Sequence, residues 1–125
     1  MKSRENLIRL KRFQVNEKRR QVMQLEMMIA EFDRMATELE AQIAAEEQKS
    51  GISDVNHFAY PTFAKAARLR RDNLRNSQAE LQQQKIQAEA AQAEAEAELA
   101  RAEALESRDA KARGADGNTG RAMTG

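Results

Sequence analysis

Apolar residues recur every seven positions through the first fifty residues of the chain. One series consists of Ile8, Val15, Val22, Ile29, Ala36 and Ile43, and a second, interleaved series consists of Leu25, Phe32 and Leu39. Two interleaved series with this spacing are the pattern by which α-helices pair in coiled coils. Lys11 and Lys18 interrupt the second series near the N-terminus. The pattern predicts a helix over residues 4–49, about 70 Å long at about 1.5 Å per residue.

A weaker repeat of the same period occupies the second half of the chain. Its members are Ala67, Leu74, Leu81, Ala88, Ala95 and Ala102. The interleaved positions are poorly apolar: Phe63, Arg70, Ser77, Gln84, Ala91, Glu98 and Leu105. Alanine, glutamate and glutamine have high helix propensity but offer little side chain to bury. This segment predicts a helix over residues 62–112 whose packing is weak towards its C-terminal end.

The stretch SGISDVNHFAYP, residues 50–61, separates the two repeats and holds the only proline and the only histidine. Gly51 suits a left-handed helix terminator, and Pro61 suits the first position of the next helix. We therefore interpret residues 50–61 as the loop of a hairpin. Phe58, Tyr60 and Phe63 either form a small cluster that closes the bend or contact a partner, and the sequence leaves both open.

Folding the chain about this loop aligns the two repeats as antiparallel partners. The pairs are Ile8 with Ala102, Val15 with Ala95, Val22 with Ala88, Ile29 with Leu81, Ala36 with Leu74, and Ile43 with Ala67. Large residues mostly face small ones, which favours this register. The predicted fold is all-α: two long helices forming an antiparallel coiled-coil hairpin over residues 1–112, followed by a disordered tail over residues 113–125. We expect the terminal half to fray when alone, because the large apolar pairs lie in the middle and near the loop.

Charge is arranged in blocks although the net charge is only +1. Residues 1–20 are basic, and in the antiparallel register they lie beside the acidic C-terminal part of the second helix. This register predicts an ion pair between Lys11 and Glu98. It also places Glu40, Glu46 and Glu47 beside Arg70 and Lys65. Because exposed ion pairs contribute only a few tenths of a kcal/mol each, roughly 0.3–0.5, we expect these charges to select orientation more than to stabilise the fold.

Residues suited to catalysis or metal binding are scarce. The chain has no cysteine, and His57 has no second histidine at helical spacing, so a metal site is not expected. There is no phosphate-binding glycine motif, and the carboxylates lie on predicted solvated faces. We therefore expect no cofactor and no enzymatic activity. No apolar run approaches the roughly 20 residues of a membrane span, and no secretory signal follows the basic N-terminus, which predicts a soluble cytoplasmic protein.

Several large apolar residues fall outside the predicted helix interface. Leu7, Leu10 and Phe13 lie on the far side of the first helix among arginines, and an outer face carries Met23, Met27, Met28 and Met35. Exposed leucine and methionine are typical of adaptable protein-binding surfaces. These residues predict either a partner site or packing against a second copy in a dimer or four-helix bundle.

The opening segment LIRLKRFQVNEKRRQVMQLEMMIAEF, from Leu7 to Phe32, followed by a second long charged helix, resembles the flagellar export protein FliJ family in its short alphaproteobacterial form. The resemblance covers roughly residues 1–110. It implies a two-helix coiled coil similar to the central stalk (gamma) subunit of rotary ATPases. It further implies a non-enzymatic protein whose terminal end inserts into the hexameric flagellar export ATPase, and which contacts the FlhA export gate and escorts export chaperones. The implied location is cytoplasmic, peripheral at the inner membrane.

On this resemblance, Leu7, Arg9, Leu10, Arg12 and Phe13 are the expected ATPase-binding residues. Phe58, Tyr60 and Phe63 are the expected contact with the gate, from their location alone. Three alternatives remain: a basic coiled-coil module that binds RNA or the ribosome through residues 4–20, a module that lies on anionic membrane, and a generic coiled-coil scaffold that forms a dimer. The acidic neighbouring helix argues against nucleic acid.

Overall fold

Two long helices account for most of the computed structural model of the 125-residue chain. Helix α1 spans Lys2–Ser50 and helix α2 spans Thr62–Thr124. The structure describes the backbone of residues 2–124 and the side chains of residues 3–114. The two helices pack against each other, so the predicted all-α helical hairpin is confirmed. The ends of the loop differ from the expected ones by one residue at most.

The chain divides into two units, each containing a part of both helices. We call residues 22–87 the loop-side unit, and residues 1–21 with 88–125 the terminal unit. Within each unit α1 and α2 run antiparallel. In the loop-side unit Glu40 contacts Arg75, and in the terminal unit Arg12 contacts Glu103.

The loop-side unit has a core of large apolar side chains. Leu39, Ile43 and Ala67 form a buried cluster, and the half-buried Leu74 packs against it. Ala36 and Ala64 are fully buried, which lets the two helices approach closely around the larger residues. Val22 and Leu81 are also buried, and the remaining α1 residues of the repeat in this unit, Leu25, Ile29 and Phe32, are half-buried. Burying one large aliphatic side chain contributes roughly 1.5–3 kcal/mol, so this unit holds most of the apolar stabilisation.

Helix α2 meets α1 through part of the expected interleaved series and through the positions one residue later. Within the expected series, Phe63, Arg70, Gln84 and Leu105 are exposed, whereas Ser77, Ala91 and Glu98 are half-buried. The positions one residue after each member of that series are all buried or half-buried: Ala64, Arg71, Gln78, Lys85, Gln92, Leu99 and Glu106. In a helix of 3.6 residues per turn, the residues three and four positions after a seam residue lie at similar angles on either side of it. The predicted interleaved series of α2 is therefore wrong at Phe63, Arg70, Gln84 and Leu105, where the next residue lies at the seam instead.

The terminal unit has a thinner core. Ile8 and Val15 are buried on α1, whereas the buried apolar residues of α2 are Ala95 and Ala102, with Ala88 and Leu99 half-buried. An alanine removes far less apolar surface from water than a leucine does. Lys11 lies in this seam and its Nζ is 3.0 Å from Glu98 Oε2, which is the predicted pair.

Helix α2 continues through most of residues 113–125, the segment expected to be a disordered tail, and its backbone is helical to Thr124. Helix α2 includes Arg113 and Gly114, and the Arg113 guanidinium lies 3.1 Å from the Glu106 carboxylate. From residue 115 to Thr124 the structure describes the backbone alone.

Hydrogen bonds fix the loop between the helices. Gly51 has φ 73°, a left-handed conformation, and its N–H donates to the Glu47 carbonyl at 2.9 Å, which ends α1. The Asn56 N–H donates to Asp54 Oδ1 at 3.0 Å, forming an Asx-turn. The Pro61 carbonyl accepts the first helical bond of α2, from the Lys65 N–H at 3.0 Å. Pro61 was expected at the first position of α2. It lies instead one residue before the helix begins, at the cap position.

Candidate functional site

The terminal unit exposes an apolar face on α1. Leu7, Leu10 and Phe13 all point away from α2, and Phe13 keeps 61% of its surface exposed. They follow one another at intervals of three residues, which places neighbouring side chains on adjacent turns of one helix. We call these three residues the Leu-Phe face. It is the apolar surface predicted from the sequence, and nothing within the described part of the terminal unit covers it.

Cations surround the Leu-Phe face, but most of them already have a partner. Arg9 is exposed and makes no ion pair with any described residue. Arg12 Nη2 lies 3.3 Å from Glu103 Oε2 on α2. The other cross-helix pairs of this unit are Arg4 with Asp109, Lys11 with Glu98, and Arg19 with Glu96. All five predicted ATPase-binding residues are exposed, and of the two arginines only Arg12 forms a described ion pair with α2.

The carboxylate of Glu96 shows how the cations of α1 act on α2. It accepts a hydrogen bond from Gln92 Nε2 at 3.0 Å and one from Arg19 Nη2 at 3.2 Å. These two donors, Gln92 first and Arg19 second, hold the pKa of Glu96 below its ordinary value. The carboxylate is therefore ionised at neutral pH.

The methionine face of α1 lies in the loop-side unit and is only partly exposed. Met23, Met27 and Met28 are exposed, as expected. Met35 is half-buried and lines a shallow groove of about 160 Å³ with Leu39, Leu74 and Arg70. Met35 was predicted to face outward, and its position beside the seam explains the difference, because a residue flanking the interface is covered by the partner helix.

Tyr60 links the loop to both helices and is only 7% exposed. Its hydroxyl donates to Glu47 Oε2 at 2.7 Å and accepts from Arg68 Nε at 2.9 Å. Arg68 Nη2 also donates to Glu47 Oε2 at 3.0 Å. The hydrogen bond from Tyr60, followed by that from Arg68, lowers the pKa of Glu47. We call Glu47, Tyr60 and Arg68 the bend triad. Tyr60 has a structural position here and is not part of an exposed partner surface.

Phe58 of the loop and Phe63 of the first turn of α2 do not join Tyr60 in a cluster. Phe58 is 96% exposed and stacks on His57 with ring centroids 4.8 Å apart, while Phe63 is more than half exposed. His57 Nδ1 accepts a hydrogen bond from the Ala59 N–H at 3.0 Å, which gives this histidine a role within the loop. Of the three predicted gate-contact residues, only Phe58 and Phe63 therefore reach the surface.

An apolar groove beside the loop was not expected from the sequence. It has a volume of about 530 Å³ and is lined by Val55, Thr62, Lys65, Ala66, Arg68, Leu69 and Asp72. Leu69 and, further along α2, Ile86 are exposed. Leu69 follows Ala67 of the α2 repeat by two residues, and Ile86 follows Leu81 by five. Both spacings point away from the seam, so the sequence pattern could have identified these two residues as exposed.

The described residues contain no group of three or more histidine, cysteine or carboxylate side chains that could hold a metal ion. Over the same part of the chain, neither helix has a stretch apolar enough to cross a membrane.

No protein-family profile, no curated protein and no solved structure matches this chain.

Proposed function

We propose that the protein is a non-enzymatic coiled-coil stalk of the flagellar type III export apparatus. It would bind the hexameric export ATPase through the Leu-Phe face and its arginines. It would also bind the FlhA export gate through two exposed aromatics, Phe58 of the loop and Phe63 at the start of α2, and assist export chaperones. It would work in the cytoplasm, peripheral to the inner membrane. The proposal rests on the resemblance of residues 7–32 to the FliJ family.

The observation that carries the proposal is the exposed Leu-Phe face at the terminal unit. Three large apolar side chains project from α1 while Ile8 and Val15 of the same helix are buried against α2. A monomeric protein seldom leaves such residues contiguous and exposed unless another molecule covers them. A helical end with apolar and basic residues outward suits insertion into a protein ring.

The charge pairs of the terminal unit argue against the RNA alternative. Binding of a polyanion requires a row of cations free to contact phosphates. Arg12 and Arg19 already contact Glu103 and Glu96, and Lys11 contacts Glu98. A phosphate backbone approaching these cations would meet carboxylates of α2 at the same place, so the net field there is weak.

Binding partners can be separated in one experiment. The purified chain would be mixed with the export ATPase, with RNA, and with anionic lipid vesicles, each at two salt concentrations. We expect retention of the ATPase at both salt concentrations, because apolar contacts persist when charges are screened. Capture by RNA or vesicles without retention of the ATPase would contradict the proposal.

The Leu-Phe face supplies a matched pair of variants for this assay. The variant Leu10→Asp with Phe13→Asp removes the exposed apolar side chains and should abolish ATPase retention, with helicity unchanged. The control, Met23→Asp with Met27→Asp, makes the same chemical change at exposed positions of the same helix in the loop-side unit. Equal loss of binding in both variants would show that added charge, and not the Leu-Phe face, is responsible.

A further inference from the structure

Two neighbouring cavities of the loop-side unit lie where the loop meets α2. The apolar groove described above, with a volume of about 530 Å³, lies against Ala66 and Leu69. A second cavity has a volume of about 390 Å³. Val55, Thr62 and Lys65 line both cavities. We call the second cavity the polar pocket, and its other lining residues are Asn56, His57, Phe58 and Tyr60. Because the two cavities share these walls, one ligand can occupy both.

Hydrogen bonds hold the walls of both cavities in place before any ligand binds. In the loop, the Asn56 N–H donates to Asp54 Oδ1 at 3.0 Å, and the His57 N–H donates to the Asp54 carbonyl at 3.1 Å. On the side of α2, Arg68 is fixed by its hydrogen bonds within the bend triad. A preformed site costs less free energy to occupy than one that must first be ordered.

Lys65 gives the shared wall one uncompensated positive charge. It is exposed and makes no ion pair with any described residue. The other charged residues of the apolar groove already have partners. Arg68 Nη2 lies 3.0 Å from Glu47 Oε2. Asp72 Oδ1 accepts a hydrogen bond from Arg71 Nε at 2.7 Å. A ligand that brings a carboxylate to Lys65 therefore gains an ion pair that the described residues do not supply.

His57 adds a hydrogen-bond donor to the polar pocket. Its Nδ1 accepts a hydrogen bond from the Ala59 N–H at 3.0 Å, so the proton of the neutral ring lies on Nε2. An ammonium group and a ring N–H therefore line one pocket. Hydrogen bonds from such donors are strongest to an ionised oxygen, which favours a carboxylate over a neutral or cationic ligand.

The apolar groove suits a large apolar side chain that belongs to a polypeptide. Leu69 keeps 64% of its surface exposed although it lines the groove, and covering it would remove apolar surface from water. The groove follows α2 from Thr62 to Asp72, which is about 15 Å at about 1.5 Å per residue. A peptide backbone can hydrogen-bond to these polar side chains at its two ends, whereas a hydrocarbon chain cannot.

We propose that the apolar groove and the polar pocket together bind an acidic, apolar segment of a partner protein. A large apolar side chain of that segment lies over Ala66 and Leu69, and a neighbouring carboxylate lies in the polar pocket against Lys65. The proposal rests on the proposed function for the partner, the export gate, and it adds the chemistry that this partner must present. Phe58, already assigned to the gate contact, lines the same polar pocket.

Synthetic peptides test this chemistry without the gate. The probe is a short peptide with blocked ends that holds one leucine followed by two aspartates, titrated into the isotope-labelled full chain and followed by nuclear magnetic resonance. Replacing the aspartates of the probe with asparagines should weaken binding roughly threefold. Replacing its leucine with alanine should weaken binding roughly tenfold. Equal affinity of the three peptides, or no binding of any, would overturn the proposal.

A matched pair of charge variants tests the role of Lys65. The variant Lys65→Gln should bind the aspartate and asparagine peptides equally, because the cation that distinguishes them is gone. The control Lys49→Gln removes another exposed cation of the loop-side unit, one that lines neither cavity, and should keep the preference for aspartate. A preference that survives Lys65→Gln, or that is lost equally in both variants, would contradict the assignment.

A second matched pair tests the apolar groove. Leu69 and Ile86 are both exposed on α2 in the loop-side unit, and only Leu69 lines the groove. Leu69→Ser should weaken binding of the probe roughly fivefold, and Ile86→Ser should leave it unchanged. Circular dichroism should show the same helicity for both variants. Equal weakening by the two substitutions would overturn the assignment of the groove.

Two further measurements separate the possible partners. Tighter binding of decanoate than of the leucine-aspartate peptide would identify a fatty-acid site and overturn the choice of a protein. Retention of the purified FlhA gate should be reduced by Leu69→Ser and Lys65→Gln but not by their controls. Retention that neither variant reduces would overturn the proposal and leave the gate contact standing. Peptide binding as expected, with no retention of the gate by the unaltered chain, would support the site and refute the gate as its partner.

Discussion

The two units are built from the same pair of helices, yet different interactions hold them together. The loop-side unit packs Leu39 and Ile43 against Leu74 and Ala67, whereas the buried α2 residues of the terminal unit are alanines, with Leu99 half-buried. One helix repeat can therefore give a firm or a loose interface, depending on the side chains opposite it. The looser unit is the one that carries the Leu-Phe face.

The polarity of the cross-helix ion pairs is also opposite in the two units. In the terminal unit α1 supplies the cations and α2 the carboxylates. In the loop-side unit α1 supplies the carboxylates, and the pairs are Glu26 with Lys85, Asp33 with Arg75, Glu40 with Arg71 and Arg75, and Glu47 with Arg68. A shift of α2 along α1 would place like charges together where the polarity changes. The charge pattern thus reinforces the register that the apolar repeat sets, as charges beside a coiled-coil seam commonly do.

A charge placed in the seam between the two helices should have the largest effect on the free energy of unfolding. Leu81→Asp would bury a charge in the loop-side unit and should lower the free energy of unfolding by about 3 kcal/mol or more. Gln84→Asp, at an exposed position of the same helix, should change it by about 0.5 kcal/mol or less. Urea denaturation followed by circular dichroism measures both. Similar losses in the two variants would refute the seam.

A pair of identical substitutions compares the two units directly. Ile43→Ala, in the loop-side cluster, should cost about 2–4 kcal/mol of global stability. Ile8→Ala, in the terminal unit, should cost about 1 kcal/mol or less, because a weakly held region can open without global unfolding. Hydrogen exchange should show faster exchange confined to the terminal unit for Ile8→Ala. Equal global destabilisation by both would mean that the terminal unit is as firmly packed as the loop-side unit.

The bend triad gives a smaller effect. Tyr60→Phe removes the hydroxyl that bridges Glu47 and Arg68 and should lower the free energy of unfolding by about 1 kcal/mol. Phe58→Leu is the control, since Phe58 is almost completely exposed, and it should change thermal stability by about 0.5 kcal/mol or less. A loss for Phe58→Leu as large as that for Tyr60→Phe would place both aromatics in the fold.

The smallest effect concerns pH. The pKa of Glu47 is lowered from its ordinary 4.5, first by Tyr60 and then by Arg68. The ionised form is therefore favoured in the folded state, and its contribution to stability is complete above pH 4.5 and disappears as the pH falls through the lowered pKa. The stability difference between the unaltered chain and Glu47→Gln should be constant from neutral pH to about pH 5 and shrink below the ordinary pKa. A difference that grows on acidification would contradict the assigned role.

Several features could be predicted from particular residues alone. Gly51 marked the end of α1, because a left-handed residue is most easily supplied by glycine. The charge of Lys11 within an apolar seam required a nearby carboxylate, and Glu98 was the residue opposite in the antiparallel register. The exposed Leu-Phe face followed from the same repeat, since residues outside the seam of a two-helix structure have nothing in the chain to cover them.

Other features depended on side-chain contacts that the sequence pattern does not specify. Glu40 and Glu47 were expected beside Arg70 and Lys65, but their partners are Arg71, Arg75 and Arg68. Long arginine side chains reach carboxylates a turn away, so distance along the sequence fixes such partners only approximately. Tyr60 was grouped with the exposed aromatics, because a sequence does not show which of three neighbouring rings finds a buried hydrogen-bond partner.

The sequence by itself determined that the chain forms two long helices, where they begin and end around the loop, and that they pair in an antiparallel sense. These properties come from periodicity, helix propensity and turn residues, which act over short stretches of chain. Only the tertiary structure decided which flank of α2 meets α1, which aromatic enters the bend, and which cations are already occupied. Those outcomes depend on the side chains that the partner helix places opposite, and therefore on contacts between residues distant in sequence.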